Sequence, residues 1–243
     1  MKALTLLKGA FCPPVTAWMS PRASTPGSGV LRATPPASGP SPEHKDTMKQ
    51  SARARAWRTE TAGAVVIFLA GSLLHFAYAW IGEWRADAWR PAAFFAAVNE
   101  STWEHLKIAF WPGLRWALAR YWQTELSAGA YWSARGYGLL SVSMLITIVF
   151  YGYTALIGTN LLAMDIILFL LAIAAGQAVF LATAWRTSRS KHLRMIGLAL
   201  VVMQVLAFSA FTYWPPHLRI FQDPRNGLYG LEAHIGESAH TGR

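Results

Sequence analysis

Five stretches of this chain are predominantly apolar and about 20 residues long, the length a helix needs to cross a hydrocarbon layer of about 30 Å. They cover 59–81, 102–122, 136–158, 161–183 and 193–214. Nothing else in the sequence constrains the fold as strongly. In lipid, every backbone N–H and C=O must be paired inside the protein, so such runs form helices that pack together. The expected fold class is all-α, a polytopic membrane helix bundle of about five transmembrane helices. Composition agrees: 53% of the residues are hydrophobic and 14% charged, against roughly 25% charged in soluble domains.

The second run is the least regular, since it holds Glu104, Lys107, Pro112, Arg115 and Arg120. The basic residues decide how it reads. Lys45, Lys49, Arg53, Arg55 and Arg58 precede the first run, and Arg186, Arg189, Lys191 and Arg194 lie between the fourth and fifth. The positive-inside bias places both clusters in the cytoplasm. That requires an even number of crossings between them, so the second run must span. The N-terminus is then inside and the C-terminus outside. Arg115, Arg120 and Arg135 are expected to snorkel to the inner interface. Trp80, Trp84, Trp89, Trp103 and Trp214 fall at the outer ends of the runs, and Trp57, Trp116, Trp122, Trp132 and Trp185 near the inner ends, as two interfacial belts. The formal net charge of +10 therefore reads as membrane orientation, and no nucleic-acid partner is expected. The expected location is a cell membrane, crossed several times, and on this reading a bacterial inner membrane. Cys12 is the only cysteine, which excludes an intrachain disulfide. Oligomeric state leaves no signature.

Three regions follow. Residues 1–57 form a tail rich in Pro, Ser, Ala, Gly and Thr that ends in basic residues, expected to be disordered. A start at Met48 is the alternative, which would make 1–47 an artefact. Residues 58–231 form the five-helix domain with ordered outer loops, and 232–243 a flexible tail.

Ionisable groups inside spanning segments cost a few kcal/mol each, so they mark candidate functional positions. The stretch A-V-N-E-S-T-W-E-H-L-K, 97–107, concentrates them at the start of the second run. Ser101 and Glu104 have the spacing of a capping box, and Glu104 and Lys107 share a helix face. His75 lies near the outer end of the first run and Asp165 near the outer start of the fourth. After the fifth run, Y-W-P-P-H-L-R-I-F-Q-D-P-R-N-G-L-Y-G brings His217, Gln222 and Asp223 in a loop whose prolines, Asn226 and Gly227 fold it back. One membrane face thus collects them all.

His75, His105 and His217 are the candidate metal ligands, for zinc or another divalent ion as cofactor. A bound ion would make a coordinated water nucleophilic. Glu100 and Asp223 are candidate general bases, with Lys107 the third catalytic candidate. Asn99, Ser101, Glu104, Asp165 and Gln222 read as a cap and hydrogen-bond network around them. Each residue also has a plain structural reading. Glu104 is a cap partner, and Lys107 neutralises Glu104 or Glu100. Asp165 suits a helix N-terminus, Asp223 starts a turn, and Gln177 bonds a neighbouring helix. The ligands are scattered on separate segments. H-E-x-x-H, C-x-x-C, G-x-S-x-G and P-loop patterns do not occur.

The blocks N-E-S-T-W-E-H-L-K-I-A-F-W-P and P-P-H-L-R-I-F-Q-D-P resemble a family of small bacterial and archaeal multi-pass membrane proteins of unknown function. That family is similar in N-E-S-x-W-E-H-x-K-x-x-F-W-P and P-P-H-x-x-x-F-x-D-P, and the resemblance covers about residues 60–231. It implies that Asn99, Glu100, Ser101, Trp103, Glu104, His105, Lys107, His217 and Asp223 belong to a shared signature, and it implies no activity. Membrane hydrolases of the alkaline ceramidase and adiponectin-receptor type are similar only in placing His and acidic residues around zinc near one membrane face.

The expected function is that of an integral membrane protein with a His/acidic cluster at its extracytoplasmic face, acting as a metal-dependent hydrolase of a lipid or small amphiphile. Its partners are then the bilayer and a lipid or small-molecule ligand at the outer face. Two alternatives stand beside it: an ion or small-solute carrier, whose polar path continues inward, and a noncatalytic sensor or assembly protein, whose cluster mainly holds helices together.

Overall fold

Apolar runs that must satisfy their own backbone close it helix by helix. The computed structural model describes residues 41–84 and 90–232, and among these it has helices and no β-strand. The chain divides at Pro42, and the bundle belongs to the second unit, Glu43–Arg243. The elements are α1 (Pro42–Trp84), a 3-10 turn at Arg90–Phe94, α2 (Thr102–Tyr121), α3 (Ala128–Ile157), α4 (Leu162–Arg189), α5 (Lys191–Tyr213) and a second 3-10 turn at Arg219–Phe221. Most of the expected N-terminal tail, most of the C-terminal one, and Trp89 lie outside the described residues. Residues 42–57, counted with the tail from the sequence, are helical and begin α1. The segment K-Q-S-A-R-A-R-A is built from good helix formers, which accounts for this.

α1, α3, α4 and α5 are each long and apolar enough to cross a membrane. α2 occupies its expected place, but Glu104, Lys107, Arg115 and Arg120 keep it out of that group. The expectation of five spans thus narrows to four candidate spans and a shorter, more polar helix packed among them.

α3 is the hub, in contact with α2, α4 and α5. Small residues make this possible. A Cβ on Gly197 of α5 would land on the Ser133 backbone of α3, and one on Gly138 would stand 2.7 Å from the Gly176 carbonyl oxygen of α4. Close backbone approach is the main source of helix association in lipid, where burial from water contributes little. Polar side chains reinforce the crossings. Ser133 Oγ donates to Arg194 O at 2.7 Å and Thr187 Oγ1 to Ala130 O at 3.0 Å. α1 joins through Ala64 and Ile67, which pack with Leu106, Phe110, Leu139 and Ile173. The outside is apolar: Leu69, Leu73, Ile148, Leu171, Val202 and Leu206 are all exposed, as lipid-facing surfaces must be.

Two loops cover one end of this bundle. Segment 92–98 packs on the last turns of α1 through Ala93, Ala96 and Val98 against Tyr78 and Leu74. The loop after α5 folds back as expected. Asp223 N donates to Leu228 O at 3.0 Å and Gly227 N to Asp223 O at 2.9 Å, with Gly227 at φ 73°, a conformation that glycine adopts without strain.

Candidate functional site

The site grows out of the start of α2. Ser101 caps the helix, its Oγ accepting from Glu104 N at 3.4 Å. Only half of the expected capping box forms. Ser101 N donates to Asn99 Oδ1 at 2.9 Å, and the Glu104 carboxylate turns inward, taking Val98 N at 3.0 Å. Inside, Lys107 stands 2.5 Å from Glu104 Oε2. Its ammonium also donates to Ala93 O at 2.7 Å and Thr212 Oγ1 at 3.3 Å. These partners use its three hydrogens. Lys107 is fully buried, in a network that ties α2 to segment 93–98 and α5.

That network fixes the turn carrying Glu100. Ala97 N donates to Leu74 O of α1 at 3.2 Å, and Glu100 N donates to Asp223 Oδ2 at 3.2 Å. Glu100 is thereby suspended between two helices. His75 Nε2 of α1 lies 3.8 Å from Glu100 Oε1, and His105 Nε2 of α2 lies 3.8 Å from Oε2. The imidazole rings are 5.1 Å apart. His105 Nδ1 lies 2.9 Å from Ser101 O. A carbonyl only accepts, so Nδ1 carries a hydrogen, and Nε2 is the nitrogen turned toward Glu100.

Two contacts of 3.8 Å are too long for hydrogen bonds. They are slightly wider than the separation of two ligands that each sit 2.0–2.2 Å from one ion in a tetrahedron. Among the described residues, His75, Glu100 and His105 form the group whose ligand atoms converge, all within 4.8 Å of one another. Two histidines and one carboxylate are a ligand set of catalytic zinc, which leaves one position open. An imidazole anchored by a backbone carbonyl is the usual outer support of such a ligand. The three side chains are 24%, 29% and 36% exposed in chain order, so small molecules can reach them.

The remaining candidates divide. Asp223, 1% exposed, accepts Glu100 N on one oxygen and Arg225 N on the other, at 2.8 Å. It thus holds the Glu100 and Arg225 backbones side by side. Asn99 Nδ2 ties the same turn to Gly230 O at 3.0 Å. His217 does not join the two other histidines; its ring packs 4.8 Å from that of Tyr229. Gln222 Nε2 closes its own loop onto Gly227 O at 3.0 Å. Asp165 bonds the Tyr153 hydroxyl and accepts from Asn160 at 3.2 Å across the α3–α4 hairpin.

A second polar centre was not foreseen. Arg135, expected to snorkel, is 3% exposed. Its guanidinium grips Glu60 of α1, donates to Gln177 Oε1 at 2.8 Å and to Tyr131 Oη at 3.2 Å, and lies 3.5 Å over the Phe180 ring. Trp116 Nε1 adds a bond to Glu60 at 3.2 Å. Pairing, stacking and hydrogen bonds together offset the burial that a lone arginine could not bear. Glu60, the acid at the mouth of the first run, was the available signal. A small cavity lies between Arg135, Gln177, Gly113 and Gly138.

The family of unknown function DUF6512 matches residues 47–231. The chain belongs to that family. No curated protein and no solved structure matches it. Membership covers the whole bundle and both loops of the site, and it brings no activity with it.

Proposed function

We propose that this membrane protein holds one divalent transition-metal ion, zinc by its ligand chemistry, at His75, Glu100 and His105, and hydrolyses a lipid or small amphiphile at that face. The observation that carries the reading is the convergence of two histidines from different helices on opposite oxygens of Glu100, with His105 Nδ1 anchored on Ser101 O. A bound ion would supply a nucleophilic water at neutral pH. The protein contributes ligand geometry, an approach from solvent, and the buried Asp223 and Asn99 that keep Glu100 in place.

The face is extracytoplasmic in this reading, with the N-terminus inside a bacterial inner membrane. Support comes from the basic residues. Glu60, just after Arg58 in α1, meets Arg135 near the start of α3, and Ser133 meets Arg194 at the start of α5. Both basic clusters therefore sit at the bundle end opposite His75, as the positive-inside bias asks.

The test is metal analysis. Protein purified in neutral detergent without chelators and reconstituted with zinc should hold about one ion per chain, and His75→Ala and His105→Ala should lose it. A wild-type protein that stays metal-free after reconstitution would overturn the reading.

A carrier is the second reading, favoured by Arg135 and Gln177, which line a cavity among α1, α2, α3 and α4, and by Glu60, which Arg135 holds. It requires ion or solute flux in proteoliposomes, abolished by Glu60→Gln.

A further inference from the structure

We infer that the molecule received at this site is an amphiphile with a phosphate head, bound by Arg225 and the metal position, with its tail along α1. The inference rests on the metal reading above and adds the substrate class to it.

Arg225 supplies the first argument. Its Nη2 lies 3.4 Å from Glu100 Oε1, and its side chain is 58% exposed. A guanidinium thus stands at the rim, reachable from outside. Its placement is built. Asp223 accepts the Arg225 amide on one oxygen and the Glu100 amide on the other, so one buried carboxylate sets the spacing of the arginine and the central ligand. With a divalent ion on neutral imidazoles, the site is cationic even after Glu100 and Asp223 are counted. Arginine presents a planar fork of donors that matches the oxygens of a phosphate, and a divalent ion takes another of them.

The second argument is independent of charge. The His75 ring meets Phe76 edge-on at 4.7 Å, and Phe76 stacks on Trp80 at 6.1 Å. Phe76 is 52% exposed, Trp80 51%, and Leu73, on the same helix, 60%. An aromatic ledge therefore leaves the site directly onto the lipid-facing flank of α1. A small hydrophilic phosphate would have no use for it. An alkyl chain would lie along it without leaving the apolar layer.

The experiment uses the full, zinc-reconstituted chain in zwitterionic nanodiscs, with dodecyl phosphate, dodecanoate and inorganic phosphate as probes in calorimetric titrations. Dodecyl phosphate should bind at least roughly tenfold more tightly than either of the others. Arg225→Gln should weaken it by about the same factor while zinc content and melting temperature stay those of the wild type. Phe76→Ala should weaken dodecyl phosphate and leave inorganic phosphate unchanged. Equal binding of dodecanoate, equal binding of inorganic phosphate, or an Arg225→Gln variant that binds like the wild type would each overturn the inference. Zinc measured on every sample separates the two readings. A chain that stays zinc-free after reconstitution yet binds dodecyl phosphate through Arg225 sinks the metal reading and leaves the phosphate class standing, and zinc-loaded protein without that dependence sinks the phosphate assignment alone.

Discussion

Arg135 of α3 grips both carboxylate oxygens of Glu60 of α1, Nη1 to Oε2 at 3.1 Å and Nη2 to Oε1 at 2.8 Å. Both side chains are buried. Removing one partner strands the other as an uncompensated charge, a loss of about 3–5 kcal/mol. Glu60→Ala and Arg135→Ala should each unfold at clearly lower denaturant in mild detergent. Replacing both together, as Glu60→Leu with Arg135→Met, should recover much of that loss, because no unpaired charge remains. A double variant as weak as the singles would mean that the pair itself holds the helices.

The α3–α5 crossing makes a steric prediction. Any side chain at Gly197 would meet the Ser133 backbone, which cannot turn aside as a flexible side chain does. Gly197→Ala should therefore cost more than the usual overpacking, which is about 1–3 kcal/mol. Gly152, with open space around it, should accept alanine without loss. Melting curves of the two variants make the comparison.

Lys107 tests the separation of network from site. Its partners are Glu104, Ala93 and Thr212. Lys107→Met leaves the Glu104 carboxylate buried without its cation and should destabilise by about 3–5 kcal/mol. In whatever fraction remains folded, zinc stoichiometry should stay near that of the wild type. Zinc lost from a folded, stable variant would mean that the Asp223 and Asn99 bonds do not hold Glu100 in place without this network.

Much of this was legible in the sequence, and the misses have physical causes. Helix positions follow from apolar runs and their flanking turn formers, so α2 to α5 fall close to where they are expected. The Ser101 cap and the Glu104–Lys107 pair follow from i,i+3 spacing, because a helix fixes that geometry locally. The joining of His75, Glu100 and His105 depends on how a turn is tucked between two helices, which periodicity does not encode; it was visible only as a shared depth. That same depth wrongly grouped His217 with them, since a common level says nothing about position around the bundle. The pairing of Arg135 with Glu60 was hidden for a similar reason. Each charge alone looks like an interfacial residue, and only the side-by-side packing of α1 and α3 makes them partners.

His217 provides the sharpest contrast within the histidines. It lies in the folded-back loop, where its ring packs on Tyr229. His217→Ala should keep about one zinc per chain, whereas His105→Ala should lose it. The same metal analysis on both variants decides, and zinc loss in His217→Ala would show that this loop moves to bring a third imidazole to the ion.

Asp223 gives the most specific prediction for the support beneath the site. Its Oδ2 accepts the Glu100 amide and its Oδ1 the Arg225 amide. Asparagine has nearly the same shape but one acceptor oxygen, with an NH2 group in place of the other. In Asp223→Asn, one of the two backbone amides must face a donor and shift away. The Glu100 amide bond, at 3.2 Å against 2.8 Å for the Arg225 amide, is the longer of the two and should give way, which lets the central ligand move. Loss of such outer support typically lowers metal affinity by about 10–100-fold. The expected result is a zinc affinity reduced within that range in a chelator competition, with helix content unchanged. Unchanged affinity in a folded Asp223→Asn variant would mean that Glu100 is held by Asn99 and segment 93–98 alone.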